Sequence, residues 1–157
     1  MDFFVVPTVN FTFVYVFFII EHARRKILHF NVTGHPSADW MMQQLREAFP
    51  FDSAPRYLIF DRDSIFSPQV KQCIRNMHIQ PKLISYQAPW QNGIAERRIL
   101  SARDDLLNHM IVLSEGHIRR VLAGYIDYYN NNRCHLSLYR NTPKGRAIKH
   151  KPSEAAR

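Results

Sequence analysis

Hydrophobic residues at the start of the chain fall into three runs, at residues 3–6, 11–20 and 27–32, with short polar or turn-forming segments between them. The runs are rich in β-branched and aromatic side chains, which favour an extended backbone. Three such runs in close succession are typical of an antiparallel meander. We therefore predict that the chain begins with three consecutive antiparallel strands.

After residue 36 the apolar positions mostly recur every three or four residues, and Ser37 before them is a typical N-cap. Two short apolar runs interrupt this helical spacing. The predicted elements of this part are a helix at 38–49, a strand at 57–60, a helix at 68–77, a strand at 82–85 and helices from Gly93 and from about Ser114. A meander followed by alternating strands and helices predicts an α/β fold with a mixed sheet.

The length of the chain, 157 residues, suits one domain, and its 46% of hydrophobic residues is enough to fill a core. We place this domain at residues 1–138. Residues 139–157 are polar and basic and contain two prolines, so we predict a flexible basic tail there.

The cysteine positions and the apolar start of the chain indicate in which cellular compartment the protein is expected. Cys73 and Cys134 stand far apart without a CxxC pattern, which excludes a disulfide scaffold and favours the reducing cytoplasm. Pro7 and Asn10 interrupt the apolar start, and its unbroken part, residues 11–20, is far shorter than the roughly 20 residues that span a bilayer. We therefore predict a cytoplasmic protein without a membrane segment.

Positive charge is concentrated in the last third of the chain. The formal net charge is +8, and residues 97–157 carry 12 Lys and Arg against 5 Asp and Glu. A basic segment on a nearly neutral front half favours a polyanionic partner, most commonly DNA or RNA. The alternative is a basic surface that serves solubility alone.

Three acidic residues stand where strand ends and a helix start would bring them together. Asp2 heads the first predicted strand, Asp61 directly follows the strand at 57–60, and Glu96 lies in the first turn of the helix from Gly93. Converging carboxylates repel one another unless cations lie between them, and oxygen ligands suit Mg²⁺. Taken singly, each acid is better explained as a solvated surface charge, so the argument depends on their combined placement.

Two segments and a tail motif resemble the catalytic core of retroviral-type integrases and bacterial insertion-sequence transposases. The segments are Leu-Ile-Phe-Asp-Arg-Asp-Ser-Ile-Phe-Ser at 58–67 and Ala-Pro-Trp-Gln-Asn-Gly-Ile-Ala-Glu-Arg at 88–97. The tail motif is Tyr-Tyr-Asn at 128–130 with Arg133, His135, Leu138 and Thr142-Pro143. The 34 residues between Asp61 and Glu96 are close to the family's usual spacing of about 35.

The resemblance implies a fold, a reaction and a set of partners. The fold would be ribonuclease H-like, with a five-stranded mixed sheet flanked by helices. Asp2, Asp61 and Glu96 would be the acidic triad that holds two Mg²⁺ or Mn²⁺ ions. The reaction would be the cutting and joining of DNA strands by phosphoryl transfer, on transposon ends and target DNA, by a homo-oligomer at the nucleoid.

The predicted DNA contacts lie in the loop before Glu96, on its helix and in the basic C-terminal part. They are Trp90, Gln91, Asn92, Arg97, Arg98, Arg103, Arg133, Lys144 and Arg146. The structural alternatives are packing for Trp90, turn formation or helix capping for Gln91 and Asn92, and a solvated helix face for the arginines at 97, 98 and 103. Asp63 rivals Asp61 as the second acid, and we interpret it as a loop residue.

Two departures from the family pattern leave other functions open. Asp61-Arg62-Asp63 replaces the usual Asp-Asn-Gly, and the chain begins one residue before the first acid, which we interpret as an N-terminal truncation. One alternative is therefore a catalytically inactive relic that folds and binds nucleic acid. Another is a nuclease that hydrolyses DNA without joining it.

Overall fold

The computed structural model describes residues 1–50, 53–85 and 89–145, with the backbone alone for residues 89 and 90. The strands are β1 (Asp2–Pro7), β2 (Phe13–Ile20), β3 (Ile27–Thr33), β4 (Tyr57–Phe60) and β5 (Gln80–Leu83). The helices are α1 (Ala38–Ala48), α2 (Pro68–Asn76), α3 (Gly93–Asp105) and α4 (Glu115–Asn131), with short 3-10 turns at Pro89–Asn92, Leu107–His109 and Leu136–Leu138. The predicted α/β class is confirmed.

The predicted meander is also confirmed. β1 pairs antiparallel with β2, and β2 pairs antiparallel with β3, in one three-stranded sheet. The register of the first pair places Asp2 opposite Phe18. β4 and β5 form a two-stranded parallel sheet, in which Tyr57 lies opposite Gln80.

The five-stranded sheet expected from the sequence is replaced by these two smaller sheets. β1 and β4 touch where the N-terminal ammonium of Met1 donates to the Ile59 carbonyl oxygen (2.7 Å). In a parallel ladder the next hydrogen bond would run from the Asp61 amide to the Met1 carbonyl oxygen, and this bond is not found among the described residues. The Phe3 amide, one step further along β1, donates to the Asp2 side chain (2.8 Å), and β4 ends at Phe60. The contact therefore does not extend into a ladder.

β5 begins two residues earlier than predicted. The Gln80 amide donates to Arg56 O (3.0 Å) and the Ile84 amide donates to Phe60 O (3.1 Å), so pairing with β4 sets its limits. Pro81 fits within this strand because β5 pairs with β4 along one edge and the missing N–H can lie on the other.

β2 separates two hydrophobic clusters, because successive side chains of a strand point to opposite faces of the sheet. Val16 and Phe18 belong to one cluster, and Phe17 and Ile19 belong to the other. The helices add Ala95, Ile118, Leu122 and Tyr129 to the first cluster, and Met41, Leu45, Val70 and Ile74 to the second. Thus α3 and α4 cover one face of the three-stranded sheet, and α1 and α2 cover the other.

Serine side chains cap three of the four helices. Ser37, Ser67 and Ser114 accept hydrogen bonds from the backbone N–H groups of Trp40 (3.2 Å), Val70 (3.4 Å) and His117 (3.2 Å). These bonds satisfy N–H groups that the helix itself leaves without a partner. Helix α3 differs, since Asn92 occupies its N-cap position without a capping bond.

The segment at 139–145 is held against the turn between β2 and β3. Arg24 in this turn donates to the carbonyl oxygens of Pro143 (2.7 Å) and Thr142 (3.2 Å). Thr142 is completely buried. Residues 146–157, the remainder of the tail expected from the sequence, lie outside the described residues. No helix in the described part of the chain is long and apolar enough to cross a membrane.

The buried side-chain amide of Asn130 joins α4 to the start of β3. Its Nδ2 donates to the carbonyl oxygen of Ile27 and its Oδ1 accepts from the Ile27 amide, both at 3.0 Å. The first residue of β3 is therefore bonded to a side chain of α4 through both of its backbone polar groups.

We expect Asn130→Ala to lower the free energy of unfolding by about 2–4 kcal/mol, because two buried backbone groups lose their partner. Urea unfolding followed by circular dichroism measures the change. Asn131→Ala is the matched control, since the Asn131 amide bonds to the exposed Asp127 (2.7 Å), and its loss should cost about 0.5 kcal/mol or less. Equal effects of the two substitutions would contradict this account of the α4–β3 junction.

Candidate functional site

Asp2 lies at the start of β1 and is buried, with 8% of its surface exposed. Its Oδ1 accepts a hydrogen bond from the Phe3 amide (2.8 Å), and its Oδ2 accepts one from Asn92 Nδ2 (3.1 Å). A buried carboxylate needs such donors, because it has lost most of its hydration. The Asn92 bond joins the first strand to the start of helix α3.

The electrostatic surroundings of Asp2 include both of the other predicted acids. Burial raises the pKa of Asp2 from 3.8 to about 6, because the ionised form is poorly solvated. The bond from the Phe3 amide and the Met1 ammonium oppose this rise in pKa, while the carboxylates of Asp61 and Glu96 add to it. The structure therefore brings Asp2 within electrostatic reach of both acids.

Asp61 directly follows β4 and is partly buried, as expected for an acid at a strand end. Its Oδ1 accepts a hydrogen bond from the Asp63 amide (3.1 Å). Asp63 itself is exposed and accepts from the Ile65 amide (3.0 Å), so it stabilises the turn beyond the strand. Glu96 lies in the first turn of α3 and is exposed.

The donor set of these three residues suits a hard divalent cation, since carboxylate oxygens are the ligands of Mg²⁺ and Mn²⁺. The repulsion that the other two acids exert on Asp2 is also the repulsion that a bound cation would relieve. Within residues 1–50, 53–85 and 89–145, however, no three His, Cys, Asp or Glu side chains lie close enough together to hold a metal ion. The acids are thus neighbours that do not form a closed metal-binding cluster.

The loop before α3 is fixed at both ends. Gln91 accepts from the Ser85 amide (2.7 Å) and donates to Ser85 Oγ (3.2 Å), which ties the 3-10 turn to the residues after β5. Asn92 is 2% exposed and faces Asp2. The backbone of Trp90 belongs to this turn, and its side chain lies outside the described part of the structure.

Arg98 lies inside the protein, although the sequence analysis placed it among the DNA contacts. It is 6% exposed, and its guanidinium stacks on the ring of Tyr129 with 4.9 Å to the centroid. Burial lowers the pKa of Arg98, and the phenol of Tyr129 opposes that change. A guanidinium in this position packs α3 against α4 and is not available to a phosphate.

Arg133 is half-buried and engaged with the protein. It forms an ion pair with Asp105 at the end of α3 and donates to the Tyr125 hydroxyl (3.0 Å). Tyr125 in turn donates to Asp105 Oδ2 (2.9 Å). This network connects the C-terminal ends of α3 and α4. Arg97, Arg103 and Lys144 are exposed, and Arg146 lies outside the described residues.

Two contacts that fix helix α3 were not predicted from the sequence. One is the Asn92–Asp2 hydrogen bond, for which the sequence offered capping or DNA contact as explanations. The other is the buried group of Arg98, Tyr129 and His135, in which the His135 ring lies 4.9 Å from that of Tyr129. Burial, with the nearby arginines, lowers the pKa of His135 to about 4, so this imidazole is neutral at pH 7. The presence of a tyrosine and a histidine in the tail motif was the feature of the sequence that could have indicated this group.

The chain is similar to known proteins both in part of its sequence and in its fold. Residues 77–143 match the family model of the integrase core domain, a segment that contains Glu96 and the tail motif. The structure is similar to the crystal structure of the catalytic core domain of BIV integrase, with a TM-score of 0.62 and 14% identity over 91% of this chain and 89% of that chain. No curated protein matches the sequence.

The structure is also similar to a chain in the cryo-EM structure of the simian T-cell lymphotropic virus intasome in complex with PP2A regulatory subunit B56 gamma. The TM-score is 0.66 at 12% identity, over 99% of this chain and 58% of that chain. This protein thus has the ribonuclease H-like α/β fold of these integrase structures. The resemblance stated from the sequence motifs is confirmed.

We expect Asp2→Asn to stabilise the metal-free protein at pH 7.5. The unfolded chain ionises Asp2 near its ordinary pKa of 3.8, whereas the folded protein keeps the proton until about pH 6, so ionised Asp2 opposes folding above pH 6. The substitution removes this charge and retains one of the two hydrogen bonds. The gain in free energy of unfolding should be about 1–2 kcal/mol.

Urea unfolding in EDTA at several pH values measures this effect, and the difference between the two proteins should shrink towards pH 4. A difference that is independent of pH would show that burial does not perturb Asp2.

Proposed function

We propose that this chain is the catalytic core of an enzyme that cuts and joins DNA strands by metal-dependent phosphoryl transfer. The observation that carries the proposal is the placement of the buried Asp2 carboxyl, whose pKa responds to both Asp61 and Glu96. These are the three positions that the sequence motifs match to the family's acidic triad. The integrase core match and the likeness to the BIV integrase core support the same function.

Asp2, Asp61 and Glu96 would hold the divalent ions, Mg²⁺ or Mn²⁺, through their carboxylate oxygens. We include two ions because displacements at phosphorus commonly use a pair. When bound, the ions would lower the pKa of the attacking water or hydroxyl and stabilise the leaving oxygen.

The reaction consists of two displacements at phosphorus. In the cutting step, a water oxygen bonds to a backbone phosphorus, the bond to the 3′ oxygen breaks, and this oxygen takes up a proton. In the joining step, a 3′-hydroxyl oxygen attacks a phosphorus of a second strand, and the displaced 3′ oxygen takes up the proton. Asp2 would be a ligand with a fixed orientation, because its carboxylate is buried and held by two hydrogen bonds.

DNA would contact exposed basic residues of α3 and of the C-terminal segment. Arg97 and Arg103 lie on the helix that carries Glu96, and both are exposed, as is Lys144. Charge neutralisation of this kind positions the backbone without reading sequence. We include Gln91, which is exposed in the turn before α3 and would contact a DNA strand by exchanging its present bonds to Ser85. We include a homo-oligomer as the active form.

A second candidate function is nucleic-acid binding without catalysis. The observation that favours it is that the three acids do not form a closed metal-binding cluster within the described part of the chain. The two candidates differ in metal binding, since both include the basic surface.

We expect Mn²⁺ binding, measured by isothermal titration calorimetry, to weaken by about 10-fold or more in Glu96→Gln and in Asp61→Asn. A direct ligand should matter at least as much as an outer-shell partner, whose loss costs about 10-fold. Asp63→Asn is the matched control, because Asp63 is exposed in the turn and is only two residues from Asp61. Unchanged affinity in both of the first two variants would support the non-catalytic candidate.

We expect Arg97→Ala combined with Arg103→Ala to flatten the salt dependence of DNA binding. Each lost phosphate contact should reduce the slope of log K against log salt by about 0.9, and the pair by about 2. Fluorescence anisotropy with duplex DNA from 50 to about 300 mM salt measures the slope.

The control for this measurement combines Arg46→Ala with Arg75→Ala. Both arginines are exposed, but they lie on α1 and α2, which cover the other face of the three-stranded sheet. An equal loss of slope in both double variants would mean that net charge, and not the α3 surface, determines binding.

A further inference from the structure

Asn92 departs from the ordinary behaviour of an asparagine at a helix start. At an N-cap its side-chain oxygen normally accepts a hydrogen bond from a backbone N–H of the first turn, which stabilises the helix by about 1 kcal/mol. Asn92 occupies this position in α3 without making the bond. The side chain is 2% exposed, and its Oδ1 has no hydrogen-bond partner among the described residues. Both features cost stability.

The contact that Asn92 makes instead is with Asp2. Its Nδ2 donates to Asp2 Oδ2 at 3.1 Å, between two residues that are 90 positions apart in the chain and both buried. Oδ1 of the same carboxylate is held by the Phe3 amide. Each oxygen of Asp2 therefore has one donor, which fixes the plane and the direction of the carboxylate.

The position of Asn92 along the chain gives this bond a second consequence. Glu96 follows four residues later, and residues four apart lie on the same side of a helix, about one turn from each other. Holding Asn92 against Asp2 therefore sets the side of α3 that carries Glu96 towards the start of β1. The rise that Glu96 causes in the pKa of Asp2 agrees with this placement.

We propose that Asn92 is a positioning residue, whose amide orients the Asp2 carboxylate and joins it to the helix of Glu96 so that both acids face one divalent cation. This inference rests on the proposed function, in which both acids are metal ligands. It explains why Asn92 leaves α3 uncapped, since a local rule of helix formation is commonly broken where a functional site needs the side chain. Partners that orient a ligand typically contribute about 10- to 100-fold to metal affinity.

The test is a double-mutant cycle with two measurements. Asn92→Leu, which has a similar volume and no donor, is combined with Asp2→Ala, and Mn²⁺ affinity and urea unfolding are measured for all four proteins. Asn92→Ala is a second variant, in case leucine disturbs folding. We expect Asn92→Leu to weaken Mn²⁺ binding by about 10-fold or more when Asp2 is present and to have no further effect when Asp2 is absent. Circular dichroism verifies that each variant is folded.

Asn108 and Asp104 supply the matched control cycle. Asn108 Nδ2 also donates to an aspartate (Asp104 Oδ1, 3.4 Å), but this pair is exposed at the C-terminal end of α3. Asn108→Leu should leave Mn²⁺ affinity unchanged. In the control cycle, the change in the unfolding equilibrium constant of the double variant should equal the product of the changes in the two single variants. In the Asn92–Asp2 cycle, by contrast, we expect a coupling of about 5-fold or more in the unfolding equilibrium constant.

The outcomes separate this proposal from the function on which it rests. If the parent protein binds Mn²⁺ and Asn92→Leu binds it equally well, the positioning role is overturned while the metal site stands. If the parent protein does not bind Mn²⁺, the metal-dependent function fails and the positioning role fails with it, and coupling in the unfolding cycle then reports only the hydrogen bond between Asn92 and Asp2.

Discussion

The burial of β2 on both faces is the constraint on which the rest of the structure depends. Its side chains alternate between two hydrophobic clusters, and the fully buried Phe17 and the buried Phe18 are consecutive members of opposite clusters. A shift of β2 by one residue relative to its neighbours would move each of its side chains to the opposite cluster, so the pairing register is strongly determined. That register places Asp2 opposite Phe18 and thereby carries an acid into a largely apolar environment.

Helix α3 is held from two directions, and this determines where Glu96 lies. At its start, Asn92 bonds to Asp2 of β1, and in its second turn Arg98 stacks on Tyr129 of α4. The tail motif that accompanies the acids in sequence therefore acts in this structure through packing. Tyr129 and His135 form the surface against which α3 rests, and Asn130 bonds both backbone groups of Ile27.

The three acids introduce unfavourable electrostatic interactions into an otherwise well-packed domain. Burial and two neighbouring carboxylates disfavour the ionised form of Asp2, although ionised carboxylates are what a cation requires. The hydrogen bond from the Phe3 amide and the Met1 ammonium oppose this rise in pKa without cancelling it. Such local destabilisation is common where residues are selected for function and not for stability.

Most elements and the positions of the three acids were predictable from the sequence. Strand and helix periodicities, the serine caps and the apolar run before Asp61 are encoded within about ten consecutive residues, so they can be interpreted without knowing what packs against them. β5 was displaced by two residues, because pairing with β4 and not its own apolar content set its ends.

The tertiary structure decided how the polar side chains are used and how the strands are joined. Arg98 has the sequence context of an exposed helix residue, and Asn92 has that of a helix cap. Both are buried, because Arg98 contacts Tyr129 and Asn92 contacts Asp2, and these partners are distant in sequence. The division into two sheets was likewise decided by the tertiary structure, since the contact between the Met1 ammonium and the Ile59 carbonyl oxygen does not extend into a ladder between β1 and β4. Local sequence determines backbone preference, whereas the partner of a buried polar group is determined by the surfaces that meet when the chain folds.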